Sequence, residues 1–445
     1  MMKKILILGA GMSSSSLIKY LLDRTQEYNW KLTVGDKDVE LAKSKVNYHE
    51  NAEAIEFDIS DDTRRRELIS EHDVVVSMLP ARIHPVVAED CIAEKKHMVT
   101  ASYVSDDLKA MDAKARENGI ALLNELGVDP GIDHMSAMKL VDEIKEKNGE
   151  LVLFKSSTGG LIAPEFDTNP WNYKFTWNPR NVVVAGQGTS MFIRNGRYKY
   201  IPYHKLFSRV EKTKVLNYGE FEVYPNRDSL KYREIYGLQA IPTIFRGTLR
   251  RPGFCRAWDV FVQLGMTDDT YQMQDVENMT WRQFINSFLK YEPSKRVEDK
   301  LCEYLDLSPD GEIVQKLSWL GIFEDKKVGM TQGTPAQILQ KLLEEKWALQ
   351  PGDRDMIAMQ HKIEYKLGNK QKRITSSMVT IGQEAPHTAM SITVGTPVAI
   401  AVKLLLTGKI DVTGVHVPTK PELYKPILDE MEEAGIKFVD EEEDM

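Results

Sequence analysis

Short apolar runs alternate with amphipathic stretches over the first 125 residues. Residues 4–8 (KILIL) read as a buried strand, and apolar positions then recur at helical spacing over residues 17–22. Further strands are predicted at residues 32–35, 54–57, 74–78, 97–100 and 120–123, with helical stretches between them. Strands that alternate with helices build a parallel sheet with right-handed crossovers. The pattern therefore predicts a doubly wound parallel α/β domain over residues 1–125.

The rhythm changes after residue 129. A helix is predicted over about 134–147 and a strand over 151–155. Segments 355–365 and 375–381 read as strands, or as a helix that switches to a strand. We assign residues 126–255 and 350–394 to a second, mixed α/β domain.

The stretch between these two parts of the second domain is helical. From about residue 256 to residue 349 the pattern predicts an inserted helical subdomain. The apolar segment 396–406 (TPVAIAVKLLL) predicts a helix that packs on the first domain, which residues from about 395 to 445 complete. The acidic segment 440–444 is predicted to be a solvated tail.

The turn after the first strand reads Gly9-Ala10-Gly11-Met12-Ser13-Ser14. Strand, glycine turn and helix form the context of a dinucleotide-binding fingerprint of the Rossmann type. Gly9 permits the tight turn, and Gly11 lets the backbone approach a pyrophosphate at the helix N-terminus. Ser14 stands where the fingerprint has its third glycine, and the serines are expected to cap the helix and donate to phosphate. The predicted cofactor-binding residues here are Gly9, Gly11, Met12, Ser13 and Ser14; the alternative is an ordinary glycine turn.

Asp36 ends the second predicted strand. A carboxylate about 20 residues beyond the glycine turn binds the ribose 2′-OH of NAD and repels a 2′-phosphate. Asp36 therefore favours NAD, whereas the neighbouring Lys37 leaves NADP open. Asp58, after the third strand, is expected to reach the adenine, and Leu79 and Pro80 to pass near the nicotinamide.

Composition narrows the class of protein. The 445 residues carry a net charge of −8, so a basic nucleic-acid-binding surface is not expected. Three cysteines are too few for a disulfide framework or a cysteine-based zinc site, and no metal is predicted. No run reaches the ~18 apolar residues of a membrane span. We expect a cytoplasmic protein with a small-molecule substrate and without nucleic-acid or membrane partners.

Three short motifs hold charged side chains near turns. The segment 124–134 (NELGVDPGIDH) places Asp129 at the start of a predicted type II turn centred on Pro130 and Gly131. The segments 224–229 (YPNRDS) and 246–250 (RGTLR) carry Arg227 and Arg246, and arginine binds carboxylates in a bidentate manner. The alternative for such groups is a solvated loop with surface salt bridges.

These motifs together resemble the saccharopine reductase family, the saccharopine dehydrogenases of the L-glutamate-forming type. The resemblance runs along nearly the whole chain and rests on segments 99–105, 124–134, 159–165, 173–177, 224–229, 246–250, 319–323 and 395–403. It implies an enzyme of lysine metabolism that interconverts saccharopine with L-glutamate and 2-aminoadipate 6-semialdehyde, using NAD or NADP. It also implies a homodimer whose mixed domain binds substrate. Fungal NADP-dependent members carry a basic residue where this chain has Asp36.

The resemblance also assigns roles to site residues. Arg227 would hold a substrate carboxylate, Arg246 is a candidate for another, and Asp129 would face an amino group. The pocket would be lined by Ser102, Tyr103, Trp177 and Asn178. Asp129 and Tyr103 are the candidate catalytic residues. His134 is a third candidate for the base, but we favour a helix-start histidine satisfied by its neighbours, with Glu125 and Asp133 structural.

Two other hypotheses about the function stay open. Related enzymes that act on lysine or carboxynorspermidine, such as a lysine 6-dehydrogenase, need fewer carboxylate-binding arginines, so Arg227 and Arg246 discriminate against them. A non-enzymatic dinucleotide-binding scaffold or sensor is the third reading. The intact DPGIDH and YPNRDS motifs count against it.

Overall fold

The computed structural model describes residues 2–445 as two compact units. The first unit joins the residues up to Glu150 with Met378–Val439, and the second joins Leu151–Ser377 with Asp440–Met445. These compact units divide after residue 150, and the predicted helical subdomain lies within the second unit. The division into three domains stays a prediction.

Sixteen strands are present in the described part of the chain. They are β1 (Lys3–Leu8), β2 (Trp30–Asp36), β3 (Ala52–Glu56), β4 (Val74–Ser77), β5 (His97–Val99), β6 (Ala121–Leu123), β7 (Glu150–Ile162), β8 (Thr189–Arg194), β9 (Arg197–Pro202), β10 (Glu211–Lys214), β11 (Glu220–Pro225), β12 (Thr243–Arg250), β13 (Asp355–Leu367), β14 (Lys370–Ile381), β15 (Gly414–His416) and β16 (Val439–Asp444).

Seventeen α-helices lie between these strands in residues 2–445. They are α1 (Ser15–Leu22), α2 (Thr25–Tyr28), α3 (Val39–Val46), α4 (Asp62–Ser70), α5 (His84–Ala93), α6 (Asp106–Ala110), α7 (Asp112–Glu117), α8 (Ile132–Glu146), α9 (Pro179–Val183), α10 (Tyr232–Ile235), α11 (Phe254–Leu264), α12 (Trp281–Asn286), α13 (Val297–Leu305), α14 (Glu312–Leu320), α15 (Pro335–Trp347), α16 (Ala389–Leu406) and α17 (Pro421–Glu433). Short 3-10 helices occur at Met12–Ser14, Ala81–Ile83, Pro164–Phe166 and Tyr203–Lys205.

The first unit contains a seven-stranded sheet in which every pairing is parallel. Its order is β3-β2-β1-β4-β5-β6-β15. This is the doubly wound order of dinucleotide-binding domains, extended at one edge by β15. The direction of winding reverses between β1 and β4, and ligands of such sheets bind at the carboxyl ends of the strands at that point. The predicted fold class is confirmed, and the predicted strands lie within a few residues of the observed ones.

One helix of the first unit is apolar on all sides. By length and composition α16 could cross a membrane, a property that our search for apolar runs missed. Most of its residues are buried, and it packs on α1. A Cβ at Gly395 would lie 2.7 Å from the Leu17 backbone nitrogen, so glycine permits the close approach of the two helices. A helix that is apolar all round in this setting is a core helix.

The boundary at residue 150 has a structural cause. Helix α8, which we predicted to belong to the second domain, contacts α17 of the first unit. The Tyr424 hydroxyl on α17 donates a 2.7 Å hydrogen bond to the Asp142 carboxylate on α8. The pKa of Tyr424 is raised because the phenol is buried and bonded to that carboxylate.

The second unit is built on a mixed sheet. Its main order is β10-β11-β12-β7-β13-β14-β16, and β8 joins β12 to β9. Strand β12 runs parallel to β7 and antiparallel to β11 and β8. The segment 256–349 is helical, as predicted, and carries α12 to α15.

The acidic C-terminus is a strand and not the solvated tail that we predicted. Strand β16 pairs with β14 at the edge of the second sheet. Basic side chains on β14 compensate its charge: Lys372 pairs with Glu442, and Arg373 lies 3.0 Å from Glu443. The prediction failed because it judged the charge of residues 440–444 without the basic strand about 70 residues earlier.

Candidate cofactor and substrate sites

Two glycines shape the turn after β1 in different ways. Gly9 has φ +102, and a Cβ there would lie 2.9 Å from the Met78 carbonyl oxygen. Gly11 has an ordinary φ of −62, and a Cβ there would meet no heavy atom within 4 Å. Gly9 is therefore needed by the fold, whereas Gly11 borders open space at the point where a pyrophosphate must approach the backbone. The turn fits the predicted cofactor.

The serines of this turn do not cap the helix as we expected. Residues Met12–Ser14 form a 3-10 turn before α1 begins, and no described side chain caps either element. The Ser14 hydroxyl instead donates to the Gly11 carbonyl at 2.8 Å, which holds the turn closed. Met12 and Ser13 lie on the rim of the turn, and Met12 is 63% exposed, which is unusual for a large apolar side chain.

Asp36 is tied to the same turn. Its Oδ2 accepts the Ala10 amide at 2.7 Å, and its Oδ1 accepts the Asp38 amide at 3.0 Å. These bonds bring the carboxylate at the end of β2 beside the glycine turn, where a ribose-binding acid is expected. Asp36 and the glycine turn, which lie about 20 residues apart in the sequence, are therefore neighbours in the structure.

The neighbouring charges are paired with each other. Lys37 Nζ lies 3.1 Å from the Asp58 carboxylate. Hydrogen bonds from the backbone and hydroxyl of Ser60, with help from Lys37, lower the pKa of Asp58 to about 2. Since Lys37 is engaged with Asp58, its charge is not directed at Asp36.

The predicted nicotinamide side lies after β4. Leu79 and Pro80 follow directly on this strand, which is the neighbour of β1 at the reversal point of the sheet. Leu79 packs against the apolar core of the domain, whereas Pro80 is exposed. The structure brings the predicted cofactor-binding residues to one edge of one sheet.

Two of the predicted substrate residues touch each other. The Tyr103 hydroxyl, in the turn after β5, lies 3.2 Å from the Asp129 Oδ1, in the loop after β6. Tyr103 is 40% exposed and Asp129 is half-buried. A phenol and a carboxylate in contact at an accessible edge can exchange a proton with a bound amine.

The loop that carries Asp129 differs from the predicted type II turn. The turn centres on Asp129 and Pro130, joined by a cis peptide bond, and Gly131 is the N-cap of α8. Gly131 has φ +145, and a Cβ there would lie 2.1 Å from the Gly127 carbonyl oxygen. The chain folds back so tightly on Gly127 that only glycine fits at residue 131.

The other acids of this loop have structural partners. Glu125 accepts the Val104 amide at 3.0 Å, and its second oxygen lies 2.7 Å from His134 Nε2. Asp133 accepts the Gly131 amide at 2.7 Å. His134 is fully buried in the first turn of α8. These contacts agree with our structural interpretation of Glu125, Asp133 and His134.

Ser102 is held by a histidine that our sequence analysis did not single out. His84 is fully buried, and its Nε2 lies 2.8 Å from the Ser102 hydroxyl. Its Nδ1 lies 2.9 Å from the Ser77 hydroxyl. Burial lowers the pKa of His84 to about 4.

The second unit contains the predicted arginines. Arg246 lies in β12, is buried, and stacks 3.9 Å above the Tyr232 ring centroid. Arg227 follows β11, is exposed, and has φ +42. The Asn226 amide donates to the Arg246 carbonyl at 2.8 Å. The residue before Arg227 is therefore bonded to β12.

A third arginine was missed. Arg250 ends β12, is 4% exposed, and lies 5.0–5.7 Å from the ring centroids of Tyr173, Phe254 and Tyr224. Its Nη1 donates to the Leu249 carbonyl, and its Nε has no partner among residues 2–445.

The lack of an acid beside Arg250 among the described residues is informative. Glu222 lies opposite Arg250 in the strand register, but its oxygens accept the amides of Gly253 and Cys255. A buried cation without a counter-charge is costly, although aromatic rings offset part of that cost. Arg246 and Arg250 are four residues apart on one strand and share a face, the signal from which Arg250 could have been found.

Trp177 and Asn178 precede α9. Trp177 is half-buried, and the Asn178 side chain accepts the Arg180 amide at 2.9 Å as the N-cap of that helix. Asn178 therefore has a structural function that the sequence analysis did not assign to it. The loop that leads to both residues also carries Tyr173, one of the rings beside Arg250.

The parallel sheet, the glycine turn and the acid at the end of β2 define a nicotinamide-dinucleotide-binding domain. Comparison with known families then identifies the chain more closely. Residues 5–123 match the saccharopine dehydrogenase NADP binding domain, and residues 127–436 match the saccharopine dehydrogenase C-terminal domain. The chain belongs to the saccharopine dehydrogenase family, whose members are oxidoreductases.

Individual relatives agree with this assignment. The chain is 33% identical over 450 residues to the NADP(+), L-glutamate-forming saccharopine dehydrogenase of Schizosaccharomyces pombe, covering 99% of both chains. It is 33% identical to the mitochondrial alpha-aminoadipic semialdehyde synthase of Bos taurus, covering 98% of this chain and 47% of the bovine protein. The structure of apo saccharopine dehydrogenase (L-Glu forming) from Saccharomyces cerevisiae is similar, with a TM-score of 0.90, 30% identity and coverage of 99% and 100%.

Proposed function

We propose that the protein is a saccharopine dehydrogenase of the L-glutamate-forming type. It would oxidise saccharopine, with reduction of a nicotinamide cofactor, and release L-glutamate and 2-aminoadipate 6-semialdehyde. The observation that carries the proposal is the buried Arg250, which has an aromatic surround and, in the described part of the chain, no acidic partner. A substrate rich in carboxylates supplies the missing counter-charge.

The charges of the candidate residues suit this substrate. Saccharopine carries three carboxylates, and the second unit offers three guanidinium groups as carboxylate ligands, those of Arg227, Arg246 and Arg250. Saccharopine also carries two amino groups, and a carboxylate such as that of Asp129 suits an amine. Lysine or a polyamine has fewer carboxylates, so three such arginines favour saccharopine over those alternatives.

The chemistry places a proton-transfer demand on the protein. A bound nicotinamide would supply the hydride acceptor for the carbon beside the secondary amine, and the imine that results would add water. Asp129 would take the proton of the amine, with the Tyr103 hydroxyl 3.2 Å away to hold the carboxylate in position. The same pair would return a proton to nitrogen when the carbinolamine collapses. Asp129 and Tyr103 are thus the proposed catalytic residues.

We further propose that the cofactor is NAD, whereas the fungal relatives are named for NADP(+). Asp36 ends β2, where a ribose-binding acid is expected, and two backbone amides fix its carboxylate. A 2′-phosphate there would meet a negative charge, and Lys37 is paired with Asp58 rather than with Asp36. Coulombic repulsion therefore favours the cofactor with a free 2′-OH.

An absorbance assay at 340 nm tests both proposals. Purified protein with saccharopine should reduce NAD faster than NADP and should not oxidise lysine. The Asp36→Asn variant should shift the preference between the cofactors toward NADP by about tenfold, since a bond to a charged group is lost. Asp38→Asn is the matched control, because Asp38 caps α3 and its variant makes the same change in charge.

The outcomes separate the two claims. No absorbance change with saccharopine, and none in reverse with glutamate and semialdehyde, would exclude the proposed reaction and direct attention to lysine and polyamine substrates. Turnover with NADP preferred, unaltered in Asp36→Asn, would exclude only the cofactor proposal.

The proposal extends to a homodimer in the cytoplasm. Its support is the family resemblance and the three cysteines, which are buried and free. Light scattering of the purified protein would test the dimer, and fractionation of cells would test the compartment.

A further inference from the structure

A buried imidazole joins two hydroxyl groups at the carboxyl edge of the first sheet. His84 begins α5, Ser77 ends β4, and Ser102 follows β5. The ring nitrogens lie 2.9 Å from the Ser77 hydroxyl and 2.8 Å from the Ser102 hydroxyl, with Thr100 Oγ1 3.4 Å from Nε2. The imidazole is therefore the link between the sheet and the side chain of Ser102.

The protonation state of the ring couples its two bonds. Burial keeps the pKa of His84 near 4, so the ring is neutral around pH 7. A neutral imidazole carries one N–H, so one ring nitrogen donates and the other accepts. Ser77 and Ser102 therefore take opposite roles, and the bond to Nε2 fixes the position of the Ser102 hydroxyl oxygen.

The backbone of Ser102 is fixed independently. Its carbonyl accepts the Glu125 amide at 3.0 Å, and its amide lies 3.3 Å from Thr100 Oγ1. His84 is thus needed for the orientation of the hydroxyl alone. The next residue, Tyr103, bonds to Asp129, so the oriented hydroxyl lies one residue from the proposed catalytic pair.

We propose that His84 is a positioning residue that presents the Ser102 hydroxyl to a polar group of the substrate. The inference rests on the proposed function, which places Ser102 in the substrate pocket. Because His84 is fully buried, it would act on the substrate only through Ser102 and not by direct contact.

The competing explanation is an ordinary core histidine. The same unit contains one for comparison: His72 is buried, and its nitrogens lie 2.9 Å from Thr33 Oγ1 and 2.6 Å from the Leu68 carbonyl. His72 also uses both ring nitrogens, one with a hydroxyl and one with a backbone carbonyl, but it lies at the amino end of β4, before residue 74. It is the matched control for burial and bonding without positioning.

Two amide variants of His84 separate the explanations. The amide of His84→Asn reaches the place of Nδ1, so the bond to Ser77 remains and that to Ser102 is lost. The amide of His84→Gln reaches the place of Nε2 and keeps the bond to Ser102. We expect His84→Asn to raise the KM for saccharopine about tenfold, the effect of one lost hydrogen bond to a charged ligand. His84→Gln should retain a KM within about threefold of the wild type.

The readouts are KM for saccharopine, KM for the cofactor, kcat and Tm. The KM for the cofactor should not change in either variant. The variants His72→Asn and His72→Gln should lower Tm without a change in the KM for saccharopine. In a Ser102→Ala background, His84→Asn should produce no further rise in KM, because residues that act through one another are not additive.

Equal KM values for His84→Asn and His84→Gln in an active enzyme would overturn the inference alone. Additive effects with Ser102→Ala would overturn it as well. If His84→Asn does not fold, Ser77→Ala leaves the ring in place without its anchor and should raise the same KM about threefold; no rise overturns the inference. Wild-type protein that reduces neither cofactor with saccharopine overturns the proposed function and this inference with it.

Discussion

The two units hold their polar groups in different places. In the first unit the strands are largely apolar, and Asp36, Ser102 and Asp129 lie at or beyond their carboxyl ends. In the second unit Arg246 and Arg250 lie within β12 and are buried. Backbone amides bind Asp36, and the side chains of His84 and Tyr103 bind Ser102 and Asp129, whereas aromatic rings flank the buried guanidinium groups.

This difference separates two ways of building a site. Polar groups on turns can be exchanged without disturbing the sheet, because the strands that position them are packed independently. A buried cation without an acidic partner, such as Arg250, depends on the rings around it and on a ligand that supplies negative charge. Variants of the turn residues should alter ligand binding. Variants of the buried arginines should also alter ligand binding, and they should leave the stability of the fold unchanged or raise it.

Replacement of Arg250 is the strongest test of the claim about cations buried within a strand. Arg250→Met should reduce kcat/KM for saccharopine by about 100-fold or more, since charge-assisted bonds to a carboxylate are lost. Tm should hold or rise, because replacing an uncompensated buried charge with an apolar side chain is often neutral or stabilising. Steady-state kinetics and thermal unfolding measure the two effects.

Arg251→Met is the control for this variant. Arg251 is the next residue, donates to the Tyr218 carbonyl at 2.7 Å and lies over Phe221. The Arg251→Met variant should have a slightly lower Tm and an unchanged kcat/KM for saccharopine. If Arg250→Met matched it, with a lower Tm and unaltered kinetics, the buried cation would be structural and the contrast between the units would fail.

A pair of glycine variants tests the claim about polar turns in the first unit. Gly9→Ala should lower the free energy of unfolding by about 2 kcal/mol, because of its positive φ and the Met78 carbonyl. Gly11→Ala should leave that free energy unchanged and raise the KM for the cofactor, since its methyl group projects into open space. Chemical denaturation and cofactor titration distinguish them, and equal losses of stability in both would show that the open space at Gly11 is not the cofactor's approach.

Removal of the C-terminal strand has the smallest expected effect. Truncation after Val439 deletes the ion pairs of β16 with β14, which are solvent-accessible and therefore contribute little to stability. The loss of stability should shrink in about 1 M salt. Denaturation at two salt concentrations measures it, and a loss independent of salt would assign the stabilisation to the backbone pairing instead.

The sequence was most informative where chemistry depends on neighbours in the chain. The glycine turn and Asp36 were found because the spacing of a strand, turn and strand is preserved on folding. Arg250 was missed because its burial and its missing acid depend on rings far away in the chain, such as Tyr173. His84 was missed for the same reason, since Ser102 lies 18 residues away.

Two errors came from judging a segment without its partner. The turn at Asp129 was assigned from the residue types Pro130 and Gly131, and the contact of Gly131 with Gly127 decides it differently. The acidic end was assigned as a tail from its charge, although β14 supplies the compensating cations.

The chain passes between the two units more than once, and this has a consequence for synthesis on the ribosome. The residues up to Glu150 and Met378–Val439 form one unit, so the nascent first unit lacks α16 while the second is being made. At about 5–20 residues per second, synthesis of Leu151–Ser377 takes roughly 11–45 s. During it the face of α1 that packs on α16 is uncovered, including the backbone of Leu17 that Gly395 later meets. Chaperone capture of a stalled chain should therefore concentrate on this face.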